Sequence, residues 1–476
     1  MSPVRRIARE EWRALSRDRV AMLGLLLLTV LTLVAALNAA EHRRTADAER
    51  GRYQSQANDE FANQPDRHPH RVAHFGHFVF RPLNPLAAFD PGIDAYTGHT
   101  LFLEAHRQNG ANFGDVRQSS LLLRFGQLTP AFILQVLAPL LLVFVGHNCV
   151  TRERESGTLR VLLSQGLGSG QVVMGKLLAL LGFAGLVLLP ALLALLWLAA
   201  SGQAAWAPVL VLACAYAAWL LLWSLLVTLA STVFRRGRDA LLGLLATWTV
   251  LVILLPRGVS DLAGSVVAMP TRFENAIHVE REYQALGNAH RPDDPKFAEF
   301  RDRILEQYGV TSIEELPVNF KGLVGTEGER RSSELFNRYA AEVFDLQERQ
   351  NHLVDQYGWL SPTLALRRLS MTVAGTDLAS FRHFLEQGEQ YRYDLVQRLN
   401  RLQSGEITYA DDTDPDKENR ISHAHWQAFP DFHYQPFPVD QALRRAAPAG
   451  AMLLAWLAAL ASLTWLLGGR LGRAVR

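Results

Sequence analysis

Cysteine is almost missing from this chain. Among 476 residues only Cys149 and Cys214 occur, both in or beside apolar runs. No disulfide can staple the long polar stretches, which must fold on apolar cores of their own. Each thiol reads as a small packing hydrophobe. An excess of either charge is missing too. Lys and Arg number 48 against 46 Asp and Glu, a net charge of +2, too near neutral to point to nucleic acid as a partner. The sequence contains no H-E-x-x-H and no other recognised metal-ligand spacing. No Ser/His/Asp set can be asserted from isolated residues, and the chain reads as a non-enzyme.

What the sequence has is segregation. Apolar residues concentrate in six runs, at 20–40, 128–150, 177–200, 207–234, 241–257 and 448–469. Each approaches the ~20 residues that a helix needs to cross a bilayer core. The runs carry almost no ionisable residues, which argues against a proton-driven carrier with buried carboxylates. The first run is too long for a cleaved leader, and Glu41-His42-Arg43-Arg44 after it lacks a small-residue cleavage site.

Lys and Arg in short flanks set the orientation. They occur as Arg5, Arg6, Arg9, Arg13, Arg17 and Arg19; as Arg152, Arg154, Arg160 and Lys176; as Arg235, Arg236 and Arg238; and as Arg470, Arg473 and Arg476. The link 201–206 has none. Six spans with both termini in the cytoplasm satisfy all of these flanks. The expected fold is mainly α: a polytopic inner-membrane protein with six transmembrane helices and a helix-rich extracytoplasmic domain built from two insertions. Residues 1–19 form an interfacial helix along the inner leaflet, with Ala8, Trp12 and Leu15 at i, i+4 and i+7. Residues 20–40 are the first span and 41–127 the first insertion. Residues 128–257 hold the second to fifth spans, with a short cytoplasmic helix at 151–168. Residues 258–447 are the larger insertion, and 448–476 the sixth span and a cytoplasmic tail.

The stretch GQVVMGKL, residues 170–177, nearly spells a phosphate-binding loop. That loop needs a preceding buried strand and a Ser or Thr after the lysine. Here Leu177 takes the hydroxyl's place and the stretch runs straight into an apolar run. Lys176 reads instead as a cytoplasmic anchor, with Gly175, where the third span enters the membrane. The residues before it are more informative. Glu153 and Glu155 stand early in a helix, where carboxylates suit the dipole. Leu159, Leu162 and Leu163 follow on one face, and a Gly-Leu-Gly-Ser-Gly cluster ends it.

Glu155, Gly157, Thr158, Leu159, Leu162, Leu163, Gly175 and Lys176 resemble the pattern of the permeases of type 2 ABC exporters. The resemblance covers the apolar half of the chain. It implies that the segment is a coupling helix docking on a separate ATPase dimer. ATP and Mg²⁺ would then be held by that partner, and this chain would bind no cofactor itself. A second permease copy or homologue would complete the pathway in the bilayer. One departure stands out: the family places Pro then Ser in the turn, whereas this chain has Gly166-Leu167-Gly168-Ser169, a looser turn. The stretches 73–98 and 363–392 resemble a subfamily with large soluble insertions of unknown function. The implied activity is export of an unidentified substrate. The alternative is ATP-driven work by the outer domain on a periplasmic partner such as a metalloprotein.

The outer segments are rich in helix signals. In 333–357 the residues Leu335, Tyr339, Val343, Leu346, Leu353 and Tyr357 recur at threes and fours, with Gly358 and Pro362 as stops. In 377–404 similar spacing links Leu378, Phe381, Leu385, Gly388, Leu395, Leu399 and Leu402, with Asp377 as N-cap and Gly405 as stop. The two helices should pack as a hairpin, with segment 41–127 packed on them. All histidines but His147 lie in these segments. Two groups, His68, His70, His74 and His77, then His423, His425 and His433, have a donor type suited to Zn or Cu. Without a metal-site spacing they read as loop and surface residues, with His74, His77, His423, His425 and His433 as the metal candidates of last resort. Asp412, Asp414 and Asp416 mimic half a calcium loop but lack its Gly and its final Glu, and read as a solvated turn. Arg257, closing the fifth run, either snorkels to headgroups or contacts substrate.

Overall fold

The computed structural model describes residues 2–112 and 128–470. Expectations for 113–127 and for Arg473 and Arg476 lie outside the described residues. The chain is mainly helical, and six of its helices are long and apolar enough to cross a membrane. In order the principal elements are α1 (Pro3–Arg17), α2 (Arg19–Ala62), α3 (Pro69–Phe75), β1 (His77–Phe80), β2 (Thr100–Leu103) and α4 (Ala138–Gly146). Two short helices follow, α5 (Thr151–Glu155) and α6 (Thr158–Ser164), then α7 (Ser169–Ala200), α8 (Trp206–Val233), α9 (Gly237–Trp248) and α10 (Leu255–Val266). The rest is α11 (Arg272–Ala285), α12 (Ala298–Tyr308), α13 (Phe320–Gln356), α14 (Pro362–Ala374), α15 (Leu378–Glu406) and α16 (Val439–Arg470).

The apolar helices form a bundle centred on α8, which packs against α4, α7, α9, α14 and α16. Its Tyr216, Trp219 and Trp223 are fully buried. On the periphery α2 exposes Leu23, Leu26, Leu27, Val30 and Leu37. So much apolar surface on one helix is what a lipid-facing element requires.

The second and fifth runs are not plain helices. Each contains a π-helical turn, Ile133–Leu137 before α4 and Thr249–Leu254 between α9 and α10. Wide turns disturb the backbone ladder, and in an apolar setting every freed carbonyl needs a donor. Trp219 Nε1 donates to the Leu134 carbonyl at 3.0 Å and Trp248 Nε1 to that of Val136 at 3.1 Å. Ser361 Oγ donates to the Leu251 carbonyl at 2.9 Å. The fifth helix also runs nine residues beyond Arg257, to Val266.

Apolar content does not set where helices end. α2 has 44 residues, about 66 Å of helix, roughly twice the apolar thickness of a bilayer. Its polar half serves the edge of β1: Gln54 accepts from the Phe80 amide at 2.9 Å and donates to the Phe78 carbonyl at 3.2 Å. β1 pairs antiparallel with β2 in the register His77↔Leu103 to Phe80↔Thr100. These strands and α3 pack on α15. They share one apolar cluster of Phe61, Val72, Ala73, Leu395, Leu399 and Trp426, and another of Val79, Leu101, Phe384 and Phe432. Residues from both long polar segments therefore build one body.

Three details of that body differ from the sequence reading. α13 begins at Phe320 rather than near Ser333. Glycine lowers helix propensity, but Gly322 and Gly325 here let α13 meet α15 closely: a Cβ on Gly322 would lie 2.5 Å from the Ser404 amide nitrogen. Asp377 does cap α15, accepting from Ser380 N at 3.1 Å, yet the helix runs past Gly405 to Glu406. Between α13 and α15 stands α14, so the two helices are not a direct hairpin. α14 packs into the bundle, with Leu366, Leu369 and Val373 in one cluster with Ala446, Ala449 and Leu453 of α16.

The seam between α13 and α15 is polar as well as apolar. Arg392, 1% exposed, donates to Glu329 at 2.6 Å, to Glu389 at 2.8 Å and to Ser333 Oγ at 2.7 Å. Removing one partner of a buried ion pair costs ~3–5 kcal/mol. Arg392→Met is therefore expected to destabilise the polar body by about that amount, read as a lower thermal midpoint of the solubilised chain. Adding Glu329→Gln and Glu389→Gln should recover most of the loss.

Candidate functional site

The region expected to form one coupling helix is two short helices at a corner. Gly157 separates them with φ +77°, a left-handed conformation that costs a side-chain-bearing residue ~1–2 kcal/mol. A Cβ there would meet nothing within 4 Å, so the glycine is needed for its backbone alone. α6 ends in a Schellman turn. Leu167 N donates to Leu162 O at 3.3 Å and Gly166 N, at φ +85°, to Leu163 O at 3.2 Å. Gln171 Oε1 then accepts from Gly168 N at 3.1 Å where α7 starts. The glycine turn is hydrogen-bonded throughout and not loose.

Five connections bolt α5 to its neighbours. Its first amides, together with that of Val150, point at α8: Val150 N and Thr151 N donate to Ser231 Oγ at 2.9 and 3.2 Å. Arg154 donates to the Phe234 and Thr232 carbonyls that close α8. Glu155 Oε1 accepts from Gly237 N at 3.0 Å, satisfying a free amide where α9 begins. Glu153 Oε1 accepts from Lys176 Nζ at 2.7 Å, and its second oxygen holds the Thr158 hydroxyl across the Gly157 corner. Finally, Arg152 donates to Glu11 Oε2 of α1 at 2.9 Å.

Lys176 is the hub. It is 5% exposed, lies two turns into α7, and donates to Glu11 Oε2 at 2.5 Å as well as to Glu153. This corrects one expectation. Lys176 does not reach out as an anchor; its charge is buried against two carboxylates. Residues 170–177 lie wholly in a helix with no strand leading directly into it, in line with the rejection of a phosphate loop. Gly175 is a packing residue: a Cβ there would lie 2.7 Å from Ile7, and one at Gly182 3.0 Å from the Trp12 ring. Of the expected Ala8, Trp12, Leu15 stripe on α1, Ala8 and Leu15 are half-buried and Trp12 is partly exposed, and Glu11 beside them is the most buried residue of the helix. The sequence reading overlooked Glu11 because a carboxylate on an apolar face has no meaning until its cation is found.

Of the leucines, Leu159 is buried with Cys149, Val150, Val172 and Val173, Leu163 packs against that cluster, and Leu162 is half-buried. Arg160, Val161, Ser164 and Gln165 stay exposed on α6. Cys214 is exposed on α8. Arg257 is exposed on α10, with no side-chain partner among the described residues.

The histidine candidates separate. His423 pairs with Asp66, Nδ1 to Oδ1 at 2.7 Å, and His433 with the Asp431 carbonyl at 3.0 Å. His425 joins neither. His77 is buried between Phe61 and Tyr391, and burial lowers its pKa to about 4. His68 supports Asp412, which is no solvated turn residue. Burial alone would raise the pKa of that carboxylate, but bonds from His68, Gln403 and Asn319 hold it below the ordinary range. His74 alone of the candidates joins other histidines: His70, one turn before it, His106 and His290. The 70/74 spacing was legible as one face of a helix. His106 and His290 sit in distant loops without a pattern.

Two outcomes are expected. Lys176→Ala leaves Glu11 and Glu153 with Arg152 as their one cation and lowers the thermal midpoint, while nucleotide binding by the purified chain, followed with a fluorescent ATP analogue, stays at its background. His77 is neutral in the fold and protonates readily once unfolded, so its contribution is intact above pH ~6.5 and is lost as pH falls towards ~4. His77→Phe should flatten the fall of the thermal midpoint over that window.

Residues 271–435, covering α11 to α15 and the chain beyond, match a protein family described only as a domain of unknown function, DUF3526. No curated protein sequence matches the chain.

Proposed function

We propose that the chain is the permease subunit of an ATP-binding cassette exporter, with six spans, both termini in the cytoplasm and ATP hydrolysed by a separate subunit. One observation carries this reading. α5 is tied to α1 and α7 and to the ends of α8 and α9, while α6 offers Arg160, Val161, Ser164 and Gln165 outward. Force applied to α6 passes through the Gly157 corner to four helices at once. An exposed Val161, 54% accessible beside polar neighbours, suits a contact with another protein. Positive flanks at this end of the bundle support a cytoplasmic location, where a nucleotide-binding partner would be.

In this reading ATP closes a partner dimer, α6 follows it, and the ends of α7 to α9 shift. A second permease copy or homologue completes the pathway, because α8 fills the middle of one bundle with Tyr216, Trp219 and Trp223.

A second reading has its own support. α2 passes from bundle to polar body as one helix, and α14 and α16 pack together where the two meet. A buried chain of hydrogen bonds crosses the same junction, Gln135 to Tyr216 at 2.7 Å, Tyr216 with Ser370 at 2.9 Å, and Ser370 to Asp90. The polar body carries a cleft of about 650 Å³ bordered by Leu103, Phe344 and Arg382. ATP-driven movement of the bundle would then work this body on an outside partner, with no cargo crossing.

Val161→Asp is expected to reduce co-purification of the ATPase from native membranes by tenfold or more, ~1.4 kcal/mol, without changing the chain's thermal midpoint. Glu155→Lys should weaken it too, by placing a cation at the start of α9. ATP hydrolysis by the purified chain alone would overturn the proposal. Reconstituted complex that hydrolyses ATP and moves the polar body, yet lets no compound cross the vesicle membrane, would select the second reading.

A further inference from the structure

We propose that His70, His74, His106 and His290 form a four-nitrogen site for a divalent transition-metal cation of the zinc and copper class. The cation would join the two long polar segments, since His70, His74 and His106 come from the first and His290 from the second.

The argument rests on convergence. One ring nitrogen from each histidine lies within 4.8 Å of all the others. Ring centroids are 4.6 Å apart for His70 and His74, 4.9 Å for His70 and His290, and 5.0 Å for His106 and His290. The histidines' only direct hydrogen bond with one another, among the described residues, is between Nε2 of His70 and Nε2 of His74, at 3.1 Å. Lone pairs that converge without donors are costly, and a cation removes that cost.

Two of the rings are also aimed from behind. Glu329 Oε2 accepts from both the amide of His106, at 3.1 Å, and its Nδ1, at 3.2 Å. This leaves His106 Nε2 facing the cluster, where it is buried and makes no hydrogen bond. The cost of the arrangement is visible in the backbone. His106, at φ +62°, is the only non-glycine residue with positive φ among the described residues. Glu329 is held in turn by Arg392. His290 Nδ1 lies 3.1 Å from Asn288 Oδ1, which fixes it as the donor and frees Nε2. A carboxylate or amide behind a histidine, setting its tautomer, is the usual support of a metal-binding imidazole.

The donor set selects the ion. Four imidazoles with no carboxylate among the donors suit zinc or copper and not calcium or magnesium. His70 and His74, at i and i+4, offer two donors from one turn of α3. His74 and His290 stand on the exposed side, which gives an ion a way in.

The proposal does not depend on the transport reading. Its test uses the full chain, solubilised without a histidine tag and stripped with a chelator. Zn²⁺ is titrated by calorimetry, and a Cu²⁺-loaded sample is read by electron paramagnetic resonance. Expected are about one ion per chain and copper hyperfine structure from several nitrogens. The double variant His106→Ala with His290→Ala should bind at least about 100-fold more weakly and lose that nitrogen structure. His423→Ala with His433→Ala should bind as wild type does. Should the double variant unfold, the exposed His74→Ala gives the same reading with at least about tenfold weakening. Wild-type affinity in either cluster variant, or equal loss in the His423/His433 control, overturns the proposal.

Discussion

A buried cation governs one end of the bundle. Lys176 cannot reach solvent from two turns inside α7, and a desolvated ammonium is tolerable only when carboxylates meet it. Glu11 and Glu153 do so, and Arg152 balances the second negative charge, so two cations and two anions close on one another. Because Glu11 belongs to α1 and Glu153 to α5, neither helix can leave α7 without stranding a charge. The close contacts at Gly175 and Gly182 bring α1 near enough for Glu11 to reach. The corner at Gly157, the Schellman turn at Gly166 and the burial of Leu159 hold α6 on this fixed base. A small outward-facing helix thereby becomes one with a rigid mount.

The same rule organises the polar body. Arg392 stands between Glu329 and Glu389 in the α13–α15 seam, and Glu329 then reaches on to His106. One buried ion network both locks two long helices and orients an imidazole. Between the two centres run the unbroken α2 and the packed pair α14 and α16, with hydrogen bonds from Gln135 through Tyr216 and Ser370 to Asp90. A displacement at α6 and a change in the polar body therefore share a continuous set of packed elements.

Much of this was legible beforehand where one local pattern decides the outcome. The apolar runs named six helices of the bundle though not α14, Asp377 announced its cap, and the stretch 151–176 marked a special segment between two apolar helices. What was missed depends on partners far away in the chain. Glu11 drew no notice, and Lys176 looked like an anchor, because their pairing spans 165 residues. Asp412 looked solvated until His68, Asn319 and Gln403 met it. The π-turns left no trace because their carbonyls are satisfied by Trp219, Trp248 and Ser361 from other helices.

The sequence by itself determined that the chain is helical and that its apolar helices can cross a bilayer, because hydrophobic run length and charge placement act locally and additively. Only the tertiary structure decided which charges are buried, how far each helix continues past its apolar run, and which of fifteen histidines meet. Those outcomes hang on pairs of groups that neutralise or hydrogen-bond each other across hundreds of residues. Residue spacing carries no information about such pairs until the chain has folded.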